Sequence, residues 1–389
     1  MKLTYTVNAK LPTQKAHGTQ IAKMCEAFAS QDLKLTLYLP SRKQTNDSRK
    51  HISIYDYYSV GKNFQIKKVF TLDFLDYSFL GKKILSLMFL LEETIFSLLV
   101  FLITYSHPVV YTRTKLVALL RSIFNRPVFL EVHDFTVNSS INRFLAKRIS
   151  GIIGTTPANT QFWRQLHAPA LVAPNAVSQE FFPSQPRHLA RSQLNISQQD
   201  RLIGYIGNLE TLGMKKGIDN LIEAFSLLCQ IHQHLHLLIV GGPQDLINFY
   251  QQQVIRLNLS QQVTFTGAKP FSQIPTYLQA CDILTIPFPN QPHFAHHASP
   301  IKLYEYMASG KPIVASKLPS HTRVLKDTAV YFKPGDSHSL ALAITTLITD
   351  KTLAARLGRQ SQKLAQKNTW NSRAVNILAF IAQNLPNHE

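Results

Sequence analysis

A chain of 389 residues with 45% hydrophobic and 16% charged content is too apolar for a disordered polypeptide. It is also too long for one ordinary core and implies two domains of roughly 180–200 residues each. The formal net charge of +19 invites nucleic acid as a partner, yet the basic residues are scattered and no nucleic-acid module carries them, so an anionic membrane surface fits better.

The opening run is too short for a signal peptide and begins a strand, Leu3–Ala9. A helix over Thr19–Ala29 and a strand over Leu33–Leu39 follow. The run from Ile84 to Ile103 approaches bilayer-spanning length, but Glu92 and Glu93 interrupt it. That favours a buried or interfacial helix, and Lys82 and Lys83 at its start suit an interfacial one. Buried strands are expected at Val109–Tyr111, Val128–Val132 and Gly151–Gly154, with helices at Lys115–Ile123 and Ile141–Ile149. Pro183, Pro186 and a polar mixture then mark 183–200 as a linker between a first domain, 1–182, and a second, 201–367.

The second half alternates more clearly. Strands are expected at Arg201–Ile206, His236–Val240, Val263–Thr266, Ile283–Ile286 and Ile313–Ala315. Helices fall at Gly217–Ile231, Leu246–Leu257, Ile274–Ala280 and Lys302–Ala308, and a last helical stretch, 368–389, carries Trp370. This alternation predicts an α/β fold of two doubly wound, Rossmann-like domains with parallel sheets. Cys25, Cys229 and Cys281 lack zinc or thioredoxin spacing, so a reduced, cytoplasmic setting is expected.

The candidate chemistry lies at strand ends. Ser299-Pro300-Ile301-Lys302-Leu303-Tyr304-Glu305 places a lysine and a carboxylate three positions apart at a helix start, where free N–H groups suit phosphate and a carboxylate suits sugar hydroxyls. Gly207-Asn208 closes one strand, and Lys216 precedes the next helix as a point charge for a diphosphate. Gly241 and Gly267 follow two further strands. In the front half, Gly18 opens the first helix and allows close approach of a ligand, and His133 ends the strand at Glu131-Val132-His133-Asp134. No Asp-x-Asp pair appears, Asp73 and Asp76 being spaced wrongly, so no metal is expected. The cluster His293, His296 and His297 has no acidic or cysteine companion.

The Ser-Pro-x-Lys-Leu-x-Glu-Tyr-Met-Ala-x-Gly segment resembles the glycosyltransferase family 4 signature, in a form similar to polysaccharide-building members. In that signature two glutamates are separated by seven residues; Glu305 matches the second and His297 replaces the first. Asn208 stands where the family's arginine usually does, a loss for which Lys302 or Lys215 would compensate. The resemblance implies a GT-B architecture, two domains facing a central cleft with the last helix crossing back. It implies a retaining transferase taking its sugar from a UDP-, GDP- or ADP-sugar without a metal cofactor. By the same resemblance Lys216 and Lys302 neutralise the diphosphate, Glu305 holds ribose and His133 faces the sugar. The loop His297, Ser299, Pro300 and Ile301 faces the donor, with nucleoside contacts near Gly241 and Gly267. The implied acceptor is a surface glycan or lipid-linked glycan. A non-catalytic nucleotide-sugar-binding subunit and a sugar-nucleotide epimerase remain alternatives.

Overall fold

The computed structural model describes residues 2–13, 15–42, 52–73, 82–133 and 136–385; Asp76 and Asp134 lie outside them. The chain divides into two compact units, Met1–Asn175 with Trp370–Glu389, and Ala176–Thr369. The first is built on β1 (Lys2–Thr6), β2 (Lys34–Pro40), β3 (Gln65–Val69), β4 (Val110–Thr112), β5 (Val128–Val132), β6 (Gly151–Gly154) and β7 (Ala170–Val172). All pair in parallel, in the order β3-β2-β1-β4-β5-β6-β7.

The second unit starts with β8 (Arg201–Ile206) and a small hairpin, β9 (Glu210–Thr211) with β10 (Met214–Lys215). Its sheet continues with β11 (Leu235–Val240), β12 (Val263–Phe265), β13 (Ile283–Ile286), β14 (Ile313–Ser316) and β15 (Val330–Phe332). The order is β12-β11-β8-β13-β14-β15, again wholly parallel. Central strands such as β8 bury consecutive residues, Leu202, Ile203, Tyr205 and Ile206, because helices cover both faces of a parallel sheet. In each unit the chain reverses its winding once, between β1 and β4 and between β8 and β13. A sheet with that order opens a crevice beyond its carboxyl ends at the reversal.

The boundary differs from the sequence expectation. Residues 183–200 are no linker. They contain the helix Arg187–Gln193, packed into the second unit by Arg191. The Arg191 guanidinium is fully buried and donates to the carbonyls of Ala280, Ser197 and Asp200 and to Asp282 Oδ2. A polar composition therefore hid a satisfied buried cation. The strands β3, β7 and β15 were not anticipated; each is a short edge or near-edge strand whose apolar signal is weak.

The last helix, Trp370–Gln383, belongs to the first unit. Phe380 packs edge-on against Phe129, 6.0 Å between centroids, and covers Gly151. Arg373 Nη2 donates to Glu131 Oε1 at 2.6 Å, and its Nε donates to the carbonyls of Ala173 and Pro174. Gln20 Nε2 donates to the same carboxylate oxygen at 2.6 Å. Burial alone would raise the Glu131 pKa, but Arg373, His133 and Arg113 hold it well below the usual carboxylate range. The carboxylate is thus a buried anion locked by a cation from the far end of the chain.

The helix Lys82–Ile103 is long and apolar enough, from Lys83 onward, to cross a membrane. Glu92, Phe96 and Val100 are buried on one side of it, with Glu92 ion-paired to Arg42 beyond β2. Ile84, Leu87, Leu91, Leu98 and Leu102, a stripe at helical spacing, lie exposed on another.

Removing one partner of a buried ion pair costs about 3–5 kcal/mol. Arg373→Ala should lower the first unit's stability by that order in urea unfolding of the whole chain. A midpoint equal to wild type would show that the last helix is not anchored by this pair.

Candidate active site

The site in the second unit is assembled at the winding reversal between β8 and β13. These strands pair only through Ile203 and Gly204, so Ile206 has no strand partner on that side. The Tyr306 hydroxyl fills the gap: it accepts from the Ile206 N–H at 2.7 Å and donates to the Ile206 carbonyl at 3.2 Å. Tyr306 is one residue past Glu305 on the helix Ile301–Ala308, so this wedge fixes where that helix begins relative to β8.

Lys302, on the first turn of that helix, lays its aliphatic stem across Gly207; a Cβ there would stand 2.6 Å from Lys302 Cε. Lys302 Nζ pairs with Glu305 Oε2 at 3.1 Å, with the lysine partly exposed and the glutamate buried. The helix has no side-chain N-cap, and its Leu303 N–H turns back to the Pro300 carbonyl at 3.1 Å.

Lys216 arrives from the other direction. The β9–β10 hairpin returns the chain so that the Lys216 N–H donates to the Leu209 carbonyl at 3.0 Å. Gly217 then adopts φ +76°, and a Cβ on it would lie 2.0 Å from the Pro287 carbonyl oxygen just after β13. Only glycine turns the chain this tightly into the helix Ile218–Cys229. Lys216 Nζ sits 5.5 Å from the centre of the Phe288 ring. Its pKa is pushed down to about 7 by burial and by the charge of Lys302, against the pull of Glu210. Among the described residues no carboxylate lies within ion-pairing distance of it.

The structure therefore brings Lys216, Gly207, Lys302 and Glu305 to one crevice. Gly241 and Gly267 join its rim, since Gly207 N–H donates to Val240 and Gly241 N–H donates to Gly267. Asn208 is exposed, with its carbonyl accepting from the buried Tyr205 hydroxyl at 2.7 Å. Of the two lysines that could replace the missing arginine, Lys302 is the one at Gly207; Lys215 lies instead over the Phe249 ring at 3.7 Å. His297 closes a π-helical turn, His293–His297, and Ser299 and Pro300 lead from it into Ile301. Among the described residues no three His, Cys, Asp or Glu side chains are grouped to hold a metal.

Two expected site residues lie in the first unit. His133 Nε2 is 3.4 Å from Glu131 Oε1, and burial with the neighbouring Arg113 lowers its pKa despite that carboxylate. A neutral imidazole results. Gly18 has a packing role not anticipated from sequence: a Cβ there would stand 2.1 Å from the Tyr58 hydroxyl, which bonds both the N–H and carbonyl of Thr13. The close approach at Gly18 is that of Tyr58. Sequence reading also missed Tyr306 and the Glu131–Arg373 pair. A glutamate inside an apolar strand was the available signal for the latter.

The profile of the family described as glycosyl transferases group 1 matches residues 186–364. That stretch carries the crevice just described. A D-inositol 3-phosphate glycosyltransferase of Stackebrandtia nassauensis is 25% identical over 217 residues, 53% of this chain and 47% of that protein. The chain spans about half the length of the curated relatives it matches. Among solved structures, sucrose-phosphate synthase from Thermosynechococcus elongatus superposes with a TM-score of 0.75 at 18% identity, covering 98% of this chain and 99% of that one. Anabaena HepE in complex with UDP-glucose gives 0.70 at 20% identity, covering 97% and 99%. Both units thus carry the GT-B type of α/β fold.

Gly207→Ala should leave the melting temperature close to wild type, because the far end of a flexible lysine can move aside, yet it should displace the Lys302 ammonium. Gly217→Ala should instead destabilise the second unit by several kcal/mol, since its new Cβ meets backbone. Equal thermal shifts for the two variants would contradict this placement.

Proposed function

We propose that the chain is a retaining glycosyltransferase that moves a sugar from a nucleoside-diphosphate sugar to a glycan or lipid-linked acceptor. The observation that carries this reading is the pair of lysines at the β8/β13 reversal, one of them without a counter-ion among the described residues, inside the stretch matching the glycosyl transferases group 1 profile. As the glycosidic bond breaks, negative charge grows on the departing diphosphate. Fixed ammonium groups and a helix N-terminus stabilise that charge as it forms. Lys216 and Lys302 take this role, which a metal ion would otherwise fill. Glu305 accepts hydrogen bonds from ribose hydroxyls, and neutral His133 hydrogen-bonds the transferred sugar. Gly241, Gly267 and the His297–Ile301 loop contact the nucleoside and the sugar. The acceptor hydroxyl attacks on the leaving-group side, and the departing phosphate takes its proton.

Proton linkage tests the diphosphate assignment. A Lys216 that titrates near 7 when free is mostly neutral at pH 8, and a bound diphosphate raises its pKa. UDP-glucose binding should then take up nearly one proton at pH 8 and almost none at pH 6, with affinity declining as pH rises above about 7. Titration calorimetry in buffers of different ionisation enthalpy reads this directly. Lys216→Met should abolish the uptake and weaken binding about tenfold or more. Proton uptake unchanged in that variant would remove Lys216 from the phosphates. A thermal-shift series with UDP-, GDP- and ADP-sugars identifies the base.

The acceptor reading places the protein on the inner face of the plasma membrane, supported by the exposed stripe on Lys82–Ile103. Cations lie on the helix and on elements in contact with it or just beyond its end: exposed Lys83, exposed Lys67 and Lys68 on β3, and Arg126 stacked 4.2 Å over the half-exposed Tyr105. An apolar face with cations nearby suits an anionic leaflet. The full chain should sediment with phosphatidylglycerol vesicles at low salt and not with phosphatidylcholine alone. Leu87→Ser with Leu102→Ser should lose most of that binding; retention by the double variant would refute the stripe as the contact.

A further inference from the structure

The first unit has a reversal of its own, and a cavity of about 300 Å³ lies there, beyond the carboxyl ends of β1 and β4. It is lined by Asn8, His17, Glu93, Arg113 and Thr114, among others. His17 stands on the first turn of the helix Ala16–Ala29, so the amino end of a 14-residue helix borders the space. The volume suits a single pyranose ring with a substituent.

Its charged groups are not consumed by one another. Arg113 gives one guanidinium nitrogen to Gln20 Oε1 at 2.7 Å and meets no carboxylate within ion-pairing distance among the described residues. Glu93 has no hydrogen bond or ion pair among those residues, whereas its neighbour Glu92 is consumed by Arg42. Gln20 in turn is held by Glu131, so the buried anion at the end of β5 fixes the guanidinium plane of Arg113 at one remove. His17, pushed down to about 4 by burial and by Arg113, Lys15 and His133, adds hydrogen bonding without charge.

A guanidinium presenting unspent N–H groups to a polar cavity matches the paired oxygens of a phosphate or carboxylate. A carboxylate across the same space, unpaired among the described residues, accepts from hydroxyls. We propose that this cavity binds the acceptor, and that the acceptor is an anionic sugar unit whose phosphate or carboxylate is read by Arg113 and whose hydroxyls are read by Glu93. The inference rests on the transfer reading above and adds the acceptor's chemical class to it.

The test uses the full chain carrying Lys216→Met and Lys302→Ala, so that neither lysine of the second unit supplies the anion contact, with glucose 6-phosphate, glucuronate and glucose as probes. Ligand-observed NMR titrations should show both charged probes binding about tenfold more tightly than glucose. Arg113→Gln should erase most of that preference, Arg113→Lys should restore part of it, and Glu93→Gln should weaken all three probes. The Lys rescue separates loss of a charge contact from loss of the fold. Equal binding of charged and neutral probes, or a preference that survives Arg113→Gln, overturns the proposal. UDP-glucose binding is measured separately on the unmodified chain; its absence would overturn the transfer reading, while the Arg113 series decides the cavity.

Discussion

Two ammonium groups crowd the end of a single strand, and one carboxylate pairs with only one of them. This imbalance is the constraint around which the second unit is arranged. Lys302 is satisfied by Glu305 at 3.1 Å, while Lys216, half-buried near Phe288, has its pKa lowered to about 7. Leaving a cation so placed costs free energy in the unliganded protein. In the proposed reading a diphosphate beside Lys216 would offset that cost, which would make the charge imbalance a source of selectivity for phosphate. Replacing the usual arginine by Asn208 fits the same logic, because a third fixed cation at this point would deepen the repulsion.

The geometry that holds these groups follows from backbone pairing rather than from the lysines themselves. A parallel sheet must part where its winding reverses, and the unpaired peptide groups on either side need partners. Tyr306 supplies both for Ile206, and in doing so sets the helix that carries Lys302 on its first turn and Glu305 on its second. Gly217 sets the other wall by tucking against the Pro287 carbonyl. Each charged residue thus has a neighbouring residue, Tyr306 or Gly217, that positions it.

The strand cores were legible in sequence because parallel strands covered on both faces are unbroken apolar runs: β5, β6, β8 and β13 fall where the pattern puts them. The positions of Lys216, on a loop, and of Lys302, on a first helical turn, were legible because they are local. What stayed hidden depends on contacts distant in sequence. A helix docked through Arg191 looked like a linker, and Arg373 joins Glu131 across 242 positions. Gly18 was visible as a glycine but not as the seat of Tyr58, forty residues on. Periodicity reports which face of an element is buried, and it is silent on which partner buries it.

The adjacent pair Glu92 and Glu93 shows the limit most sharply. Two identical side chains interrupt one apolar helix, and no propensity distinguishes them. They point about 100° apart, as consecutive helical residues must. Glu92 is buried against Arg42, where burial raises its pKa and the guanidinium counters that rise. Glu93 opens on the cavity beyond β1 and β4. One secures the helix to the unit so that its apolar stripe faces outward, and the other lines the cavity. A charge pair that argued against a membrane span in the sequence therefore separates in the fold into an anchor and a candidate recognition group.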